Sequence, residues 1–152
     1  MKKSLLLLFL FSSTILLNPL TAQIKRFTGN WTKIGTTYDF QFDLFIQHTG
    51  GNQVKAVFKW QAIAYDVNDP FSIEYYGEKI GLEAKEYVRG TYDKNTQQYI
   101  LKGYKKDDPH RIIGLDLYRL NVDKNGDIGG DTRAHHTWKG RINGKAVRTD
   151  QV

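Results

Sequence analysis

The stretch YDFQFDLFIQ, residues 38–47, decides the fold class of this chain because apolar and polar side chains alternate along it. The positions of the apolar series are Tyr38, Phe40, Phe42, Leu44 and Ile46. A period of two places these side chains on one face of a β-strand and the intervening residues on the other. The stretch is therefore predicted to be a strand that is buried on one side.

A second alternating stretch follows the Gly-rich residues 48–53 and is predicted to pair with the first as a long hairpin. From Val54 to Ala64, apolar side chains again occupy every second position, and several of them are alanines. Small residues among large ones suit a curved sheet, because the inner face of such a sheet is crowded.

Four further regions are predicted to contain strands bounded by turn residues: 86–92, 97–104, 111–122 and 129–142. Residues 71–79 carry aromatic side chains without a clean period and are predicted to be a loop or a short irregular strand. The nearest helix candidate, residues 82–87, is about one and a half turns long. The chain is therefore predicted to be all-β, a single antiparallel meander of about eight strands. Closure into a barrel would remove the exposed sheet edges, and a two-sheet β-sandwich is the alternative.

Residues 1–22 have the composition of a signal peptide. Lys2 and Lys3 precede an apolar run too short for a comfortable membrane span, and Ala22 is a small residue suited to cleavage. The mature chain is predicted to start at Gln23 and to form one barrel domain over residues 23–152, in the periplasm or outside the cell. An uncleaved anchor is the alternative.

The mature chain carries 20 basic and 16 acidic residues, a net charge of +4 that is interleaved along the sequence. This pattern is typical of a solvated surface and disfavours nucleic acid as a partner. Stable membrane insertion after signal cleavage is not expected. The pattern leaves a small molecule or a protein as the possible partner.

The sequence contains few residues of the types that act as catalytic nucleophiles or metal ligands. Cysteine is absent, and Ser72 is the only serine of the mature chain, without a nucleophile elbow around it. The neighbours His135 and His136 would point to opposite faces of a strand, so they do not converge on one metal ion. No catalytic residue, metal site or cofactor is predicted from these patterns.

Several carboxylates could in principle act as an acid and a base. Glu83 and Glu86, and the pair Asp107 and Asp108, are instead predicted to be solvated surface groups, since no spacing among them singles out a catalytic pair. An enzyme that works through carboxylates remains a third hypothesis. It would require two carboxylates facing each other across a cleft.

The segment DKNGDIGGD, residues 123–131, combines features of a calcium loop and a tight turn. Oxygen-bearing side chains stand at positions one, three and five, but Ile128 occupies the sixth position, where a calcium loop needs glycine. The same tripeptide, Asp-Lys-Asn, recurs at residues 93–95 between two strand patterns. Because Asn125-Gly126 is typical of hairpin turns, a turn is predicted, with a calcium site as the alternative.

Residues 28–37, TGNWTKIGTT, resemble the opening strand of the avidin family, and the shorter Gly29-x-Trp31 is similar to the opening mark of lipocalins. The resemblance implies a small calycin-type barrel, in which Gly29 lets the strand bend and Trp31 plugs the closed end. The chain has Lys33 where avidins carry the asparagine that reaches biotin. The resemblance therefore implies the barrel but not biotin binding.

These patterns favour an exported, non-enzymatic binding protein that holds a small molecule or a peptide inside a barrel. The predicted ligand-binding residues are Trp31, Thr36, Tyr38, Trp60 and Trp138. Their aromatic rings would stack on the ligand, and Thr36 would form a hydrogen bond with it.

The alternative function is a protein-interaction role, as an inhibitor or envelope scaffold. Residues 66–79 and 105–111 would then contact the partner while the barrel interior is packed. An interior cavity of ~300 Å³ or more favours the small-molecule hypothesis, and a filled interior favours the loops.

Overall fold

Eight antiparallel strands follow one another around a closed barrel in the computed structural model, which describes residues 23–134 and 138–148. The strands are β1 (Ile24–Lys33), β2 (Tyr38–Gly50), β3 (Gln53–Tyr65), β4 (Glu83–Asp93), β5 (Gln98–Asp107), β6 (Asp116–Val122), β7 (Ile128–Ala134) and β8 (Lys139–Val147). Each strand pairs with the next, and β8 closes on β1. The predicted all-β meander and its closure into a barrel are confirmed. The predicted signal peptide, residues 1–22, and the His135-His136 pair lie outside the described residues.

The alternating stretch that predicted the fold lies in β2, with its apolar side chains inside the barrel. Leu44 and Ile46 have no solvent exposure. In the register of β2 and β3, Phe42 lies opposite Trp60, and Leu44 lies opposite Phe58. Since directly opposed residues of an antiparallel pair share one face, this register brings large side chains together inside the barrel.

An aromatic layer centred on Phe58 fills the middle of the barrel. The Phe58 ring stacks on the rings of Trp60 and Tyr118, with centroids 4.7 Å away in both cases. Phe42 meets it edge-on at 5.5 Å. Towards the tight hairpins the interior is occupied by fully buried aliphatic residues such as Leu44, Ile46, Val88, Leu101 and Leu120. This half of the barrel is therefore packed.

The first five residues of the segment DKNGDIGGD, 123–127, form the predicted hairpin turn between β6 and β7, and the rest of the segment begins β7. The Asp123 carboxylate accepts hydrogen bonds from the backbone N–H groups of Asn125 and Asp127, at 2.8 and 3.0 Å. Gly126 adopts the positive φ of +85° that the turn requires. The Asp127 carboxylate pairs with the Lys145 ammonium at 2.7 Å. These oxygen atoms are thus used within the protein, and the described residues contain no cluster of three or more potential metal ligands.

Gly29 lies where β1 comes closest to the backbone of β8. A Cβ atom built on Gly29 would lie 1.9 Å from the carbonyl oxygen of Asn143 and 2.6 Å from the Cα of Gly144. No side chain fits in that space without movement of the backbone.

The substitution Gly29→Ala is expected to lower the free energy of unfolding by about 3 kcal/mol, because β1 and β8 must move apart. Urea unfolding followed by circular dichroism measures this change. Gly77→Ala is the matched control: its φ of −55° suits any residue, and its nearest contact would be an ordinary 3.6 Å. Equal stability of Gly29→Ala and the unmodified protein would contradict the tight approach of the two strands.

Residues 71–79, predicted as a loop or irregular strand, instead lie in the helix α1 (Pro70–Tyr76) and a 3₁₀ turn (Gly77–Lys79). The Asp69 carboxylate caps α1 by accepting hydrogen bonds from the Ser72 backbone N–H and hydroxyl at 3.0 and 2.7 Å. Pro70 occupies the first helical turn, where its missing N–H costs nothing. The prediction was wrong because so short a helix shows no hydrophobic period. No helix in the ranges that the structure describes has the length and apolarity to span a membrane.

Two other segments differ from the prediction. The helix candidate, residues 82–87, lies largely in β4. Residues 111–115, predicted to begin a strand, form a loop before β6. The Asp108 carboxylate holds this loop, because it accepts hydrogen bonds from the backbone N–H groups of Ile112 and Ile113 at 2.8 and 3.1 Å.

Candidate functional site

The two ends of the barrel differ in their connections. Tight hairpins join β2 to β3, β4 to β5, and β6 to β7 at the packed end. At the other end, residues 66–82 and 108–115 make longer connections, and residues 34–37 join β1 to β2. A cavity of about 350 Å³, termed the mouth cavity, lies at this second end. Its wall takes side chains from β1, β2, β3, β4, β6 and β7, from α1 and from the loop 108–115.

Trp31 stands in the wall of the mouth cavity, near the end of β1. Its indole N–H donates to the Thr132 hydroxyl at 2.6 Å, and its ring meets Phe40 edge-on at 5.6 Å. A Cβ atom on Gly140 would lie 2.1 Å from the indole ring, so the glycine at that position makes room for it. The expectation that Trp31 plugs the closed end is therefore wrong: the hairpin end is the packed one, and Trp31 lies at the other.

Tyr38, Tyr76 and Trp138 form an aromatic cluster in the same wall. The rings of Tyr38 and Tyr76 stack with centroids 3.8 Å apart, and Trp138 meets them edge-on at 6.0 and 5.9 Å. Burial is the main cause of the raised pKa of both tyrosines, which reaches about 12 for Tyr76. Both hydroxyls are buried and have no hydrogen-bond partner among the described residues.

The indole N–H of Trp60 is a third buried polar group in this wall. It forms no well-aligned hydrogen bond with the described residues, but it lies close enough to Glu86 to lower the pKa of that carboxyl. Trp60 is only 5% exposed. A buried donor or acceptor that lacks a partner costs about 1–3 kcal/mol, and such groups are uncommon in native proteins. Three residues of the wall, Tyr38, Trp60 and Tyr76, thus each carry a buried polar group without a hydrogen-bond partner among the described residues.

Glu86 reaches into the mouth cavity from β4 and is 1% exposed. Its Oε1 atom accepts a hydrogen bond from the Asp116 backbone N–H at 2.8 Å, and its Oε2 atom accepts one from the Tyr118 hydroxyl. Gly103 lies on β5, between β4 and β6. Its lack of a side chain leaves room for the Glu86 carboxyl, because a Cβ there would lie 2.0 Å from Oε1. Burial raises the pKa of Glu86 to about 8 although these two hydrogen bonds, and to a smaller extent Trp60, lower it.

The prediction that Glu86 is a solvated surface group is wrong. It occupies an inward position of β4, between the buried residues Ala84 and Val88. The prediction for Asp108 is wrong as well, since its side chain has no exposure and pairs with the Lys106 ammonium at 3.0 Å. Burial alone would raise the pKa of Asp108, but the hydrogen bonds from Ile112, Ile113 and Lys106 lower it below the ordinary value.

Asp116 is a second carboxyl group in the wall of the mouth cavity. Burial raises its pKa to about 6, against a hydrogen bond from the Thr132 hydroxyl. Only β5 separates the strands that carry Glu86 and Asp116. The two carboxyl groups therefore share one side of the barrel, which differs from the arrangement across a cleft that the enzyme hypothesis requires.

The loop 108–115 covers part of the mouth cavity. Ile112 is 4% exposed and lies in the cavity wall, while Arg111 has an unusual φ of +56°. Non-glycine residues with positive φ are uncommon and cluster at functional sites. Arg111 and Lys79 bring positive charge to the wall from the longer connections.

A second depression, of about 510 Å³, lies on the outside of the barrel near the β6–β7 turn. Exposed side chains such as Thr28, Asn30 and Asn143 line it. It contains none of the buried, unpartnered polar atoms found among the described residues. The mouth cavity is the stronger candidate for a binding site, although it is the smaller of the two.

Four of the predicted ligand-binding residues line the mouth cavity: Trp31, Tyr38, Trp60 and Trp138. Thr36 does not, because it is exposed in the connection between β1 and β2. Sequence reasoning missed Tyr76, Glu86 and Asp116. For Glu86 a signal was present, since it continues the alternation of Ala84 and Val88, whereas the position of Tyr76 depends on α1.

No family model matches this chain, and no match was found among curated proteins or solved structures. The fold and the site define a closed, eight-stranded antiparallel barrel that is packed at one end and has an aromatic cavity at the other. This architecture is compatible with a calycin-like fold.

Proposed function

We propose that this protein is an exported, non-enzymatic binding protein that holds a small molecule in the mouth cavity. The observation that carries the proposal is the mouth cavity itself, an open space walled by the aromatic residues Tyr38, Trp60 and Tyr76, each of which has a buried polar group without a partner among the described residues. The volume of about 350 Å³ lies at the lower end of the range for small-ligand sites.

Features of the sequence support two other parts of the proposal, namely that the protein is exported and that its barrel is of a binding type. Residues 1–22 have the composition of a signal peptide, which favours a location outside the cytoplasm. The segment Thr28–Trp31 resembles the opening strand of avidins and lipocalins, and a calycin-type barrel with a hollow end suits the storage or transport of a small molecule. The wall is rich in aromatic rings, which offer a flat ligand a large stacking surface.

Tyr38 offers a test of the proposal, because its buried hydroxyl has no hydrogen-bond partner among the described residues. Tyr38→Phe is expected to raise the free energy of unfolding by about 1 kcal/mol, because it removes a buried polar group that is not satisfied. The same substitution is expected to weaken ligand binding several-fold. Saturation-transfer NMR with a library of aromatic fragments measures binding, and urea unfolding measures stability.

Tyr104→Phe is the matched control for this experiment. Tyr104 is 47% exposed and lies outside the barrel on β5, so neither stability nor fragment binding should change. Loss of stability in Tyr38→Phe without any effect on fragment binding would contradict the proposal. Such a result would make Tyr38 a packing residue alone.

A protein-interaction role is the second candidate, and exposed apolar side chains around α1 favour it. Val67, Phe71, Ile73 and Tyr75 are between 47% and 64% exposed, and all lie in the predicted loop region 66–79. Phe71→Ser separates the two functions: it should leave fragment binding in the mouth cavity unchanged. A loss of fragment binding would instead assign the α1 surface to the small-molecule site.

A further inference from the structure

The charged groups of the mouth cavity are distributed unevenly between its interior and its opening. Two carboxyl groups lie in the wall of the cavity: Glu86, which is 1% exposed, and Asp116, which is half-buried beside it. The cationic residues Lys79 and Arg111 come from the longer connections at the opening. A molecule inside the cavity therefore meets acidic groups, whereas the cations remain near solvent, where water and salt screen them.

The aromatic rings of the wall provide a second attraction for a cation. At the opening, the Lys33 ammonium lies 4.2 Å from the ring centre of Trp138, and the Lys79 ammonium lies 3.6 Å from that of Tyr75. Deeper in the cavity, Trp31 and Trp60 have no cation over their rings among the described residues. Ring faces attract ammonium groups most strongly where water is excluded.

We propose that the mouth cavity binds an organic ammonium ion that carries an aromatic or apolar group. The ammonium would lie beside the carboxyl groups of Glu86 and Asp116, and the apolar part would pack against the ring of Trp60. The inference rests on the proposed function and specifies the chemical class of the ligand.

The inference implies that binding depends on pH in a definite direction. Burial raises the pKa of Glu86 to about 8 and that of Asp116 to about 6, and an ammonium ion favours the ionised form of both. Binding should therefore release protons and become stronger as the pH rises from 6 to 8. Glu86 should cause most of the change in affinity between pH 6 and pH 8, because its pKa of about 8 lies at the upper end of that range.

Other ionisable groups face the mouth cavity or its opening. The hydroxyls of Tyr38, Tyr76 and Tyr118 have raised pKa values and stay neutral in this range. Lys33, Lys79 and Arg111 contribute positive charge; burial lowers the pKa of Lys33, against the attraction of Asp69. His135 and His136 precede Trp138 in the chain and lie outside the described residues, so an experiment must separate their titration from that of Glu86.

Calorimetric titration with three probes of matched shape tests the inference: 2-phenylethylamine, 2-phenylethanol and phenylacetate. We expect 2-phenylethylamine to bind at least about tenfold more tightly than the neutral alcohol, the difference that a hydrogen bond to a charged group makes. Its affinity should rise from pH 6 to pH 8. Tighter binding of 2-phenylethanol or phenylacetate, or an affinity that falls with rising pH, would overturn the inference but leave the proposed function standing.

Variants identify the groups responsible. Glu86→Gln keeps the shape of the side chain and should weaken 2-phenylethylamine binding at pH 8 by about tenfold or more while removing the rise with pH. Glu83→Gln is the control, since Glu83 is exposed on the outer face of β4. The double variant His135→Gln, His136→Gln should retain the rise. If it does not, the histidines rather than Glu86 cause the pH dependence, and the inference fails.

Two outcomes remain to be assigned. If Glu86→Gln does not fold by circular dichroism, Asp116→Asn takes its place and should show a smaller loss of affinity in the same direction. If none of the three probes binds at millimolar concentration, the ammonium inference is overturned. The proposed function then stands or falls on the fragment experiment with Tyr38→Phe, which makes no assumption about ligand charge.

Discussion

Replacing Phe58 with alanine is expected to lower the free energy of unfolding by about 4 kcal/mol, which is typical of a large aromatic residue removed from a well-packed core. Phe58 has no solvent exposure and stacks between Trp60 and Tyr118. The strands around it belong to a closed barrel, so they have little freedom to collapse into the space that the ring leaves. The loss should therefore include most of the cavity penalty.

Urea unfolding, followed by tryptophan fluorescence and circular dichroism, measures this loss. The matched control is Phe45→Ala. Phe45 is a half-buried residue on the outer face of β2, where the cations of Arg26 and Lys59 lie over its ring at 5.5 and 5.1 Å. The control should lose only about 1 kcal/mol. Equal losses for the two variants would contradict the assignment of Phe58 to the centre of the core.

The stability of the protein is expected to fall as the pH rises from about 5 to about 8. The Glu86 carboxyl has a pKa of about 8 in the folded protein and an ordinary value of 4.5 when exposed, so the folded state holds the proton more tightly. Unfolding releases that proton within this window, and a higher pH therefore favours the unfolded state. At 1.36 kcal/mol for each pKa unit, Glu86 accounts for a loss of roughly 4 kcal/mol.

Among the other groups with a shifted pKa, His48 acts in the opposite direction. Burial lowers the pKa of His48 below its ordinary value of 6.5, so its contribution to stability rises with pH. The shift of Glu86 is the larger of the two, and the net stability still falls. The pKa of Asp116 is raised to about 6, which adds to the loss in the lower part of the window. The pKa values of Asp69 and Asp127 are lowered by hydrogen bonds from Ser72 and Lys145, so their stabilising effect is already complete below the window and disappears only in stronger acid. Glu86 is therefore the main source of the slope between pH 5 and pH 8.

Urea unfolding at a series of pH values, for the unmodified protein and for Glu86→Gln, measures the slope. The variant cannot release a proton at this position, so its stability should change much less between pH 5 and pH 8. Glu83→Gln should follow the unmodified protein. If Glu86→Gln retained the full dependence of stability on pH, another group would cause that dependence. This result would contradict the burial of Glu86.

The barrel could be predicted from sequence because a strand that is buried on one face has alternating apolar and polar residues. Along β2, the alternation of Phe40, Phe42 and Leu44 with polar residues identifies the inner face, and the Asn-Gly turn at 125–126 identifies a hairpin. Such signals are local. They require no knowledge of which strands lie next to each other.

The parts of the site that were missed depend on long-range contacts. Glu86 is buried because Tyr118 and the backbone of Asp116, about thirty residues away in the chain, satisfy its oxygen atoms. Tyr76 reaches the cavity only because α1 carries it there, and the loop after Asp108 turns inward to bury Ile112. The four predicted aromatic residues that line the mouth cavity were accessible from sequence because each lies in a strand or directly beside one.

A crystal structure of the protein with 2-phenylethylamine at pH 8 tests the central claim most directly, namely that the mouth cavity is a binding site for an organic cation. We expect the amine nitrogen about 3 Å from a carboxyl oxygen of Glu86 or Asp116, with the phenyl ring against Trp60. A mouth cavity filled by the protein's own side chains, or a bound amine that turns its nitrogen away from both carboxyl groups, would contradict the account.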